Sequence, residues 1–163
     1  MNLSLTEEQL LIKSSAEKYF RENLPFDERS KIIISRGEDY KKIIHSCKEL
    51  GWYALPFSEK HGGINGSITD VMTLIETFGA SLHVDPFIFS VLFPGKVIES
   101  FCNDKDKSYY LNQIINENLK VAYCFAEPSH RYNFLKIGCK VNLEKDKYYF
   151  TGKKILVIGG SEA

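Results

Sequence analysis

No stretch of this sequence can span a bilayer, neither charge sign is in excess, and no cysteine pair has metal-binding spacing. The longest apolar run, around residues 87–95, falls well short of the ~20 residues that a membrane helix needs. Lysine plus arginine and aspartate plus glutamate each total 21, a formal net charge of +0. Without a basic stripe, nucleic acid is not an expected partner. The turn Asp104-Lys105-Asp106-Lys107 mixes both signs and reads as solvated surface. Cys47, Cys102, Cys124 and Cys139 include no Cys-x-x-Cys, and with four scattered histidines they form no metal pattern, so no metal is expected. The thiols are read as reduced, several of them as small buried apolar groups. His45 and His83 are read as ordinary histidines without a partner acid. The first residues have no basic region followed by an apolar stretch, so no signal peptide is expected. Repeats and low-complexity tracts are absent. These absences fit a cytoplasmic protein.

What is present is a globular composition, 44% hydrophobic and 26% charged, sufficient for one good core. The first two thirds carry helical periodicity. Thr6-x-x-Gln9 is a capping box flanked by Leu5 and Leu10 as a hydrophobic staple, so a helix is expected from Glu7. Leu11, Ile12, Ala16, Tyr19 and Phe20 supply its apolar side, and Pro25 lies past its end. A second helix is expected over roughly 38–50, where Tyr40, Ile43, Ile44 and Cys47 make one stripe and Gly51 is the left-handed stop. A Pro-broken apolar connector follows at 52–57. The glycine-dense loop at 61–66 fits no phosphate-binding spacing and reads as a tight connector. Ser67 opens a third helix with Val71, Leu74, Ile75 and Phe78 inward and Gly79 at its end. Asp85 and Pro86 open a fourth, apolar on all sides through Phe93, with Pro94 expected to kink it. A fifth is expected over about 105–118, burying Tyr110, Leu111, Ile114 and Ile115.

Near Leu119 the period changes from 3.6 to 2. Residues 121–126 are a strand candidate. Cys139, Val141 and Leu143 alternate with polar residues, residues 144–147 form a charged turn, Tyr148 and Phe150 resume the alternation, and 155–158 form a last strand. Helices followed by strands give an α+β class with two parts, a helical domain over 1–120 and the first strands of a β-domain over 121–163. The closing apolar strand suggests the front part of a larger enzyme.

The sharpest segment is Val121-Ala122-Tyr123-Cys124-Phe125-Ala126-Glu127-Pro128. A strand running into Glu-Pro must leave its sheet, because proline lacks a ladder donor; its last backbone groups can then meet a flat polar ligand, or Glu127 is simply a surface acid. Arg131 is either a phosphate or carboxylate partner or a solvated loop cation. The run 153–161 also suggests the first strand and glycine turn of a nucleotide-binding unit, although no full G-x-G-x-x-G is present. No nucleophile–base pair stands out.

Several segments in order carry a resemblance: Leu5-Thr6-Glu7-Glu8-Gln9, Glu49-Leu50-Gly51-Trp52-Tyr53-Ala54-Leu55-Pro56 with Gly62-Gly63, Ile75-Glu76-Thr77-Phe78-Gly79, Ala122 through Pro128, and Tyr149-Phe150-Thr151-Gly152-Lys153-Lys154. Together they resemble the N-terminal portion of the acyl-CoA dehydrogenases, flavin enzymes that desaturate acyl-CoA thioesters. Glu127-Pro128-Ser129-His130-Arg131-Tyr132 and Val84-Asp85-Pro86-Phe87 resemble most the small-subunit type associated with pimeloyl-CoA dehydrogenase. The resemblance implies a helical domain, a β-domain and a C-terminal helical domain, the first whole here, the second cut short and the third absent. It implies FAD as cofactor, an acyl-CoA substrate, an electron-acceptor flavoprotein and a homo- or hetero-oligomer. It places Tyr123, Phe125, Ala126, Leu156 and Ile158 beside the flavin. Ser90, Phe93, Arg131 and Tyr132 fall on the substrate side, with Phe89 and Pro94 in the acyl channel. The family's catalytic base, a glutamate of the C-terminal domain, has no counterpart to assign here. Ala126 and Ile158 stand where many members have flavin-binding hydroxyls. A fragment inactive on its own is therefore one expectation, and a flavin-poor structural partner subunit is the other.

Overall fold

The computed structural model describes residues 4–35, 38–83, 85, 87–116, 119–129, 131, 133, 135–161 and 163, without the side chains of 33 and 38. Helices come first and a small antiparallel sheet last, the α+β order that the change of period predicts. Helix α1 (Glu7–Asn23) starts at the expected box: the Thr6 hydroxyl accepts from the Gln9 amide and the Gln9 side chain accepts from the Thr6 amide. Ala16 and Phe20 are buried, while Leu11, assigned to the apolar side from sequence, is 69% exposed.

Helix α2 (Phe26–Ser35) has no counterpart among the sequence expectations. Pro25 does not merely follow α1; its carbonyl accepts the first bonds of α2, from the amides of Glu28 and Arg29. Asp27 and Glu28 favour that first turn through the helix dipole. Helix α3 (Glu38–Glu49) buries Ile43 and Cys47 and ends at Gly51, which adopts φ +76° while the Trp52 amide reaches back to the Cys47 carbonyl. The connector 52–57 is buried throughout and leads to a single 3-10 turn, Glu59–His61, closed by a left-handed Gly62. Helix α4 (Ile68–Ala80) has its own capping box, Ser67 with Asp70, and Gly79 lies inside rather than past it.

The expected fourth helix is built differently. Residues Phe87–Leu92 form a π-helical stretch, and α5 (Phe93–Phe101) begins afresh with Pro94 in its first turn. Proline cannot donate to the carbonyl four residues back, so a wide turn and a new register replace the kink. Pro86, expected at the start of this helix, lies outside the described residues. Helix α6 (Asp104–Ile115) is capped by Asn103 and buries Leu111, Ile114 and Ile115, but Tyr110 is 42% exposed. The core centres on Phe20, Trp52 and Phe78, whose ring centroids lie 5.4–5.5 Å apart.

Strands β1 (Lys140–Glu144) and β2 (Lys147–Thr151) pair antiparallel with Val141 opposite Phe150 and Leu143 opposite Tyr148. Lys145 and Asp146 both take positive φ, the primed two-residue turn that matches strand twist, without the glycine that usually eases it. Two expected strands are not strands. Residues 121–126 are extended but without a ladder; the Ala126 carbonyl accepts from Ile155 at 2.9 Å. Residues 155–157 form no strand and a turn begins at Ile158; Leu156 takes φ +53°, incompatible with a strand. The nucleotide-binding alternative, which needs that strand to head a sheet, fails with it.

Candidate functional site

The site begins where α6 hands over to the extended segment 121–127. Val121 packs against the helical core, and the half-buried Tyr123 ring meets Phe93 of α5 edge-on at 5.8 Å. Phe89 meets Phe93 edge-on at 5.6 Å, and Phe125 stacks on Tyr123 at 5.7 Å with 16° between the planes. Four rings therefore form a continuous aromatic track from the π-helical stretch to the extended segment. Beside it lies a shallow hollow of about 300 Å³ lined by Phe93, Lys96, Val97, Ser100, Phe101 and Tyr123. Apolar rings flanked by few charges suit a flat or acyl ligand rather than a polyanion.

Glu127 fixes the end of this segment. Its side chain is 3% exposed and accepts from the Gly138 amide at 2.7 Å, the Cys139 amide at 3.2 Å and Lys154 Nζ at 2.8 Å. Lys154 above all, then the Cys139 thiol and the two amides, hold the Glu127 carboxyl down to about 2. The same contact raises Lys154. Lys154 Nζ also reaches the Phe125 carbonyl at 3.4 Å, and Ile155 bonds Ala126, so residues 125–127 and 154–155 are laced together. Glu127 is thus neither a ligand-facing group nor a surface acid; it is a buried anchor.

The sequence-derived site residues divide accordingly. Phe93, Tyr123 and Phe125 come together in the track, and Ser90 lies half-buried in the π-helical stretch before Phe93. Ala126 presents only a methyl group, and its carbonyl is engaged by Ile155. Leu156 and Ile158 follow that contact but are 80% and 47% exposed. Arg131 is an exposed turn residue at φ +48°. Tyr132 lies outside the described residues. For a flavin, the residues present supply flat apolar faces through Tyr123 and Phe125 and no side-chain hydroxyl at 126 or 158. They fit a ring held by stacking and backbone contacts.

A second cluster has no counterpart among the sequence expectations. His83 Nε2 lies 3.5 Å from Asp85 Oδ2 and 3.8 Å from Cys47 Sγ, and the Tyr53 hydroxyl donates to Asp85 Oδ2 at 2.6 Å. The His83 and Asp85 side chains are 2% and 1% exposed. Phe20 and Phe78 cover the imidazole at 4.7 and 5.0 Å. Burial, and then the Asp85 charge, push the Cys47 thiol and the Tyr53 phenol upward. His83 therefore has an acid partner two residues away, contrary to its sequence reading. Asp85, read as a helix cap, spends its carboxylate on this cluster.

A family model described as the N-terminal domain of acyl-CoA dehydrogenase matches residues 6–118. Among solved structures, the chain superposes on the ChsE4-ChsE5 complex from Mycobacterium tuberculosis with a TM-score of 0.78 at 23% identity, covering 96% of this chain and 40% of that one. A glutaryl-coenzyme A dehydrogenase in complex with glutaryl-CoA gives 0.82 at 16% identity, covering 96% and 40%. An acyl-CoA dehydrogenase complexed with FAD from Bacillus anthracis gives 0.71 at 19% identity, covering 94% and 27%. The chain thus spans about two fifths of the length of the first two.

Proposed function

From the premise that this chain belongs to the acyl-CoA dehydrogenase family, we propose that it is the N-terminal part of an FAD-dependent enzyme that desaturates an acyl-CoA thioester between its α and β carbons. The observation that carries this reading is the aromatic track Phe89–Phe93–Tyr123–Phe125, held in place by the Glu127–Lys154 pair at its end. A bound flavin supplies the redox chemistry, accepting the β-hydride. The chain's own residues position and exclude. Tyr123 and Phe125 offer stacking faces and are followed by Ala126, which has no hydroxyl, and Leu156 and Ile158 are assigned to the flavin from the neighbouring segment. Ser90, Phe93, Arg131 and Tyr132 are assigned to the substrate side. No residue here is assigned as the catalytic base.

In this reading residues 1–120 are the helical domain and 121–163 the first strands of the β-domain, a division supported by the end of α6 at Ile115. The pimeloyl-type small subunit is the subtype its Glu-Pro and Arg-Tyr residues suggest. The partners are an acyl-CoA, an electron-acceptor flavoprotein and further subunits, homo- or hetero-oligomeric, in the cytoplasm. Among the described residues no helix is long and apolar enough to cross a membrane. The ChsE4-ChsE5 complex, one structural relative, supports the oligomeric part of the reading.

A second reading is favoured by one observation. With a methyl at Ala126 and an aliphatic chain at Ile158, a flavin loses two side-chain bonds, each worth about 1 kcal/mol, which suits a flavin-poor partner subunit. Titration of FAD with the chain separates the two. Quenching of flavin fluorescence that Tyr123→Ala with Phe125→Ala weakens at least tenfold supports the first; no quenching at micromolar protein supports the second. The chain alone, given acyl-CoA and an artificial electron acceptor, is expected to show no turnover. Measurable turnover overturns the assignment of the base elsewhere.

A further inference from the structure

The buried cluster beneath the aromatic core lies away from the track, and that reading makes no use of it. Its spacing is poor for hydrogen bonding. A charge-assisted N–H···O bond closes to ~2.7–2.9 Å, whereas His83 Nε2 stands 3.5 Å from Asp85 and 3.8 Å from Cys47. One ring nitrogen carries at most one proton, so it cannot serve both groups. The three donor atoms all lie within 4.8 Å of one another. A tetrahedral zinc with bonds of ~2.3 Å to sulfur and ~2.0 Å to nitrogen and oxygen sets S···N near 3.5 Å and N···O near 3.3 Å. The two gaps from His83 exceed those by about 0.2–0.3 Å, and Cys47 Sγ and the Asp85 carboxylate, within 4.8 Å of each other, close by side-chain rotation.

We propose that Cys47, His83 and Asp85 form a buried site for one divalent transition-metal ion, zinc being the ion they suit, joining α3 to the segment between α4 and the π-helical stretch. Thiolate, imidazole and carboxylate together select zinc over the hard cations. The charges close: a thiolate and a carboxylate balance the divalent ion, and the imidazole stays neutral. On binding, the Cys47 S–H bond breaks, its proton goes to solvent, and the sulfur bonds the metal. Burial opposes an isolated thiolate here, and the ion offsets that cost. The three side chains supply three ligands and a water would complete the tetrahedron, while the Tyr53 hydroxyl orients the carboxylate by donating to Asp85 Oδ2 at 2.6 Å. Because the cluster is enclosed, the ion enters as the chain folds.

The test refolds the whole chain with zinc or cobalt(II) and without chelator. One zinc per chain by plasma mass spectrometry is expected, with a thiolate-to-cobalt charge-transfer band in the cobalt form. Cys47→Ser should abolish that band, and His83→Gln should weaken binding at least tenfold. A variant replacing Cys102, Cys124 and Cys139 by Ser, which leaves the cluster untouched, should keep both the band and the stoichiometry. A helical chain that binds no zinc at micromolar metal, or a band that disappears in the triple variant, overturns the proposal.

Discussion

Glu127 shows how one side chain can be conspicuous in sequence and still be misread. Glu-Pro marks the exit from an extended segment, and that exit is where the chain turns. Lys154 and the Gly138 and Cys139 amides, the groups that make Glu127 an anchor, lie 11 to 27 positions away and carry no local signature. Distance hid the Cys47–His83 pairing in the same way, although Asp85, two residues from His83, was within reach of a closer reading. The depressed folded value fixes the sign of the pH dependence. An unfolded glutamate titrates near ~4.3, so the unfolded chain takes up the proton first as pH falls. The contribution of Glu127 is complete above that value and is lost between it and about 2. Hydrogen exchange at the Gly138 and Cys139 amides should accelerate over that window relative to core amides, after correction for intrinsic rates. In Glu127→Gln, which loses the negative charge of the ion pair with Lys154, these amides should exchange faster at neutral pH and lose the acid-dependent step.

At the scale of elements, legibility followed local chemistry. The capping box at Thr6, the helix start at Ser67 and the Gly51 stop stand where the sequence puts them, because each is satisfied within a few residues. Helix α2 escaped notice because Ile32, Ile33 and Ile34 run together without a stripe and no capping side chain precedes Phe26. Residues 121–126 and 155–158 have strand composition, but a strand is defined by its neighbours, and composition does not supply them. One contact joins two legible features in an illegible way. Gln9 Nε2 donates to Thr69 Oγ1 at 3.1 Å and Asp70 Oδ1 at 2.9 Å, coupling the start of α1 to that of α4. Gln9→Ala should therefore cost about 1–3 kcal/mol, more than a cap alone, by leaving partly buried groups unpaired. Thr6→Ala should cost about 1 kcal/mol. Urea unfolding followed by circular dichroism ranks the two. Gly95 is a steric counterpart: a Cβ there would meet the ring of the fully buried Phe57. Gly95→Ala should lower stability by about 1–3 kcal/mol through overpacking and push α5 outward, seen as a lower urea midpoint.

For the whole molecule, the helical part and the hairpin differ in how they meet water. The helices enclose a core in which Phe20, Phe57, Phe87 and Leu74 are at most 2% exposed. The hairpin encloses nothing. Its register places Val141, Leu143, Tyr148 and Phe150 on one face, and they are 53%, 60%, 67% and 80% exposed. The alternation that predicted these strands was right about which residues share a face; what that face packs against is not written in a pattern of period two. Two paired strands alone are marginal in water, and an apolar face with no third strand among the described residues invites association. The chain is therefore expected to self-associate through the hairpin. Sedimentation velocity should show the mean sedimentation coefficient rising with concentration across the micromolar range. Leu143→Lys with Phe150→Lys should suppress that rise without changing the far-ultraviolet helical signal, since neither residue belongs to the core cluster. If association persists unchanged in the double variant, the exposed apolar residues of the helical part, Phe101 at 84% foremost, are the contact instead.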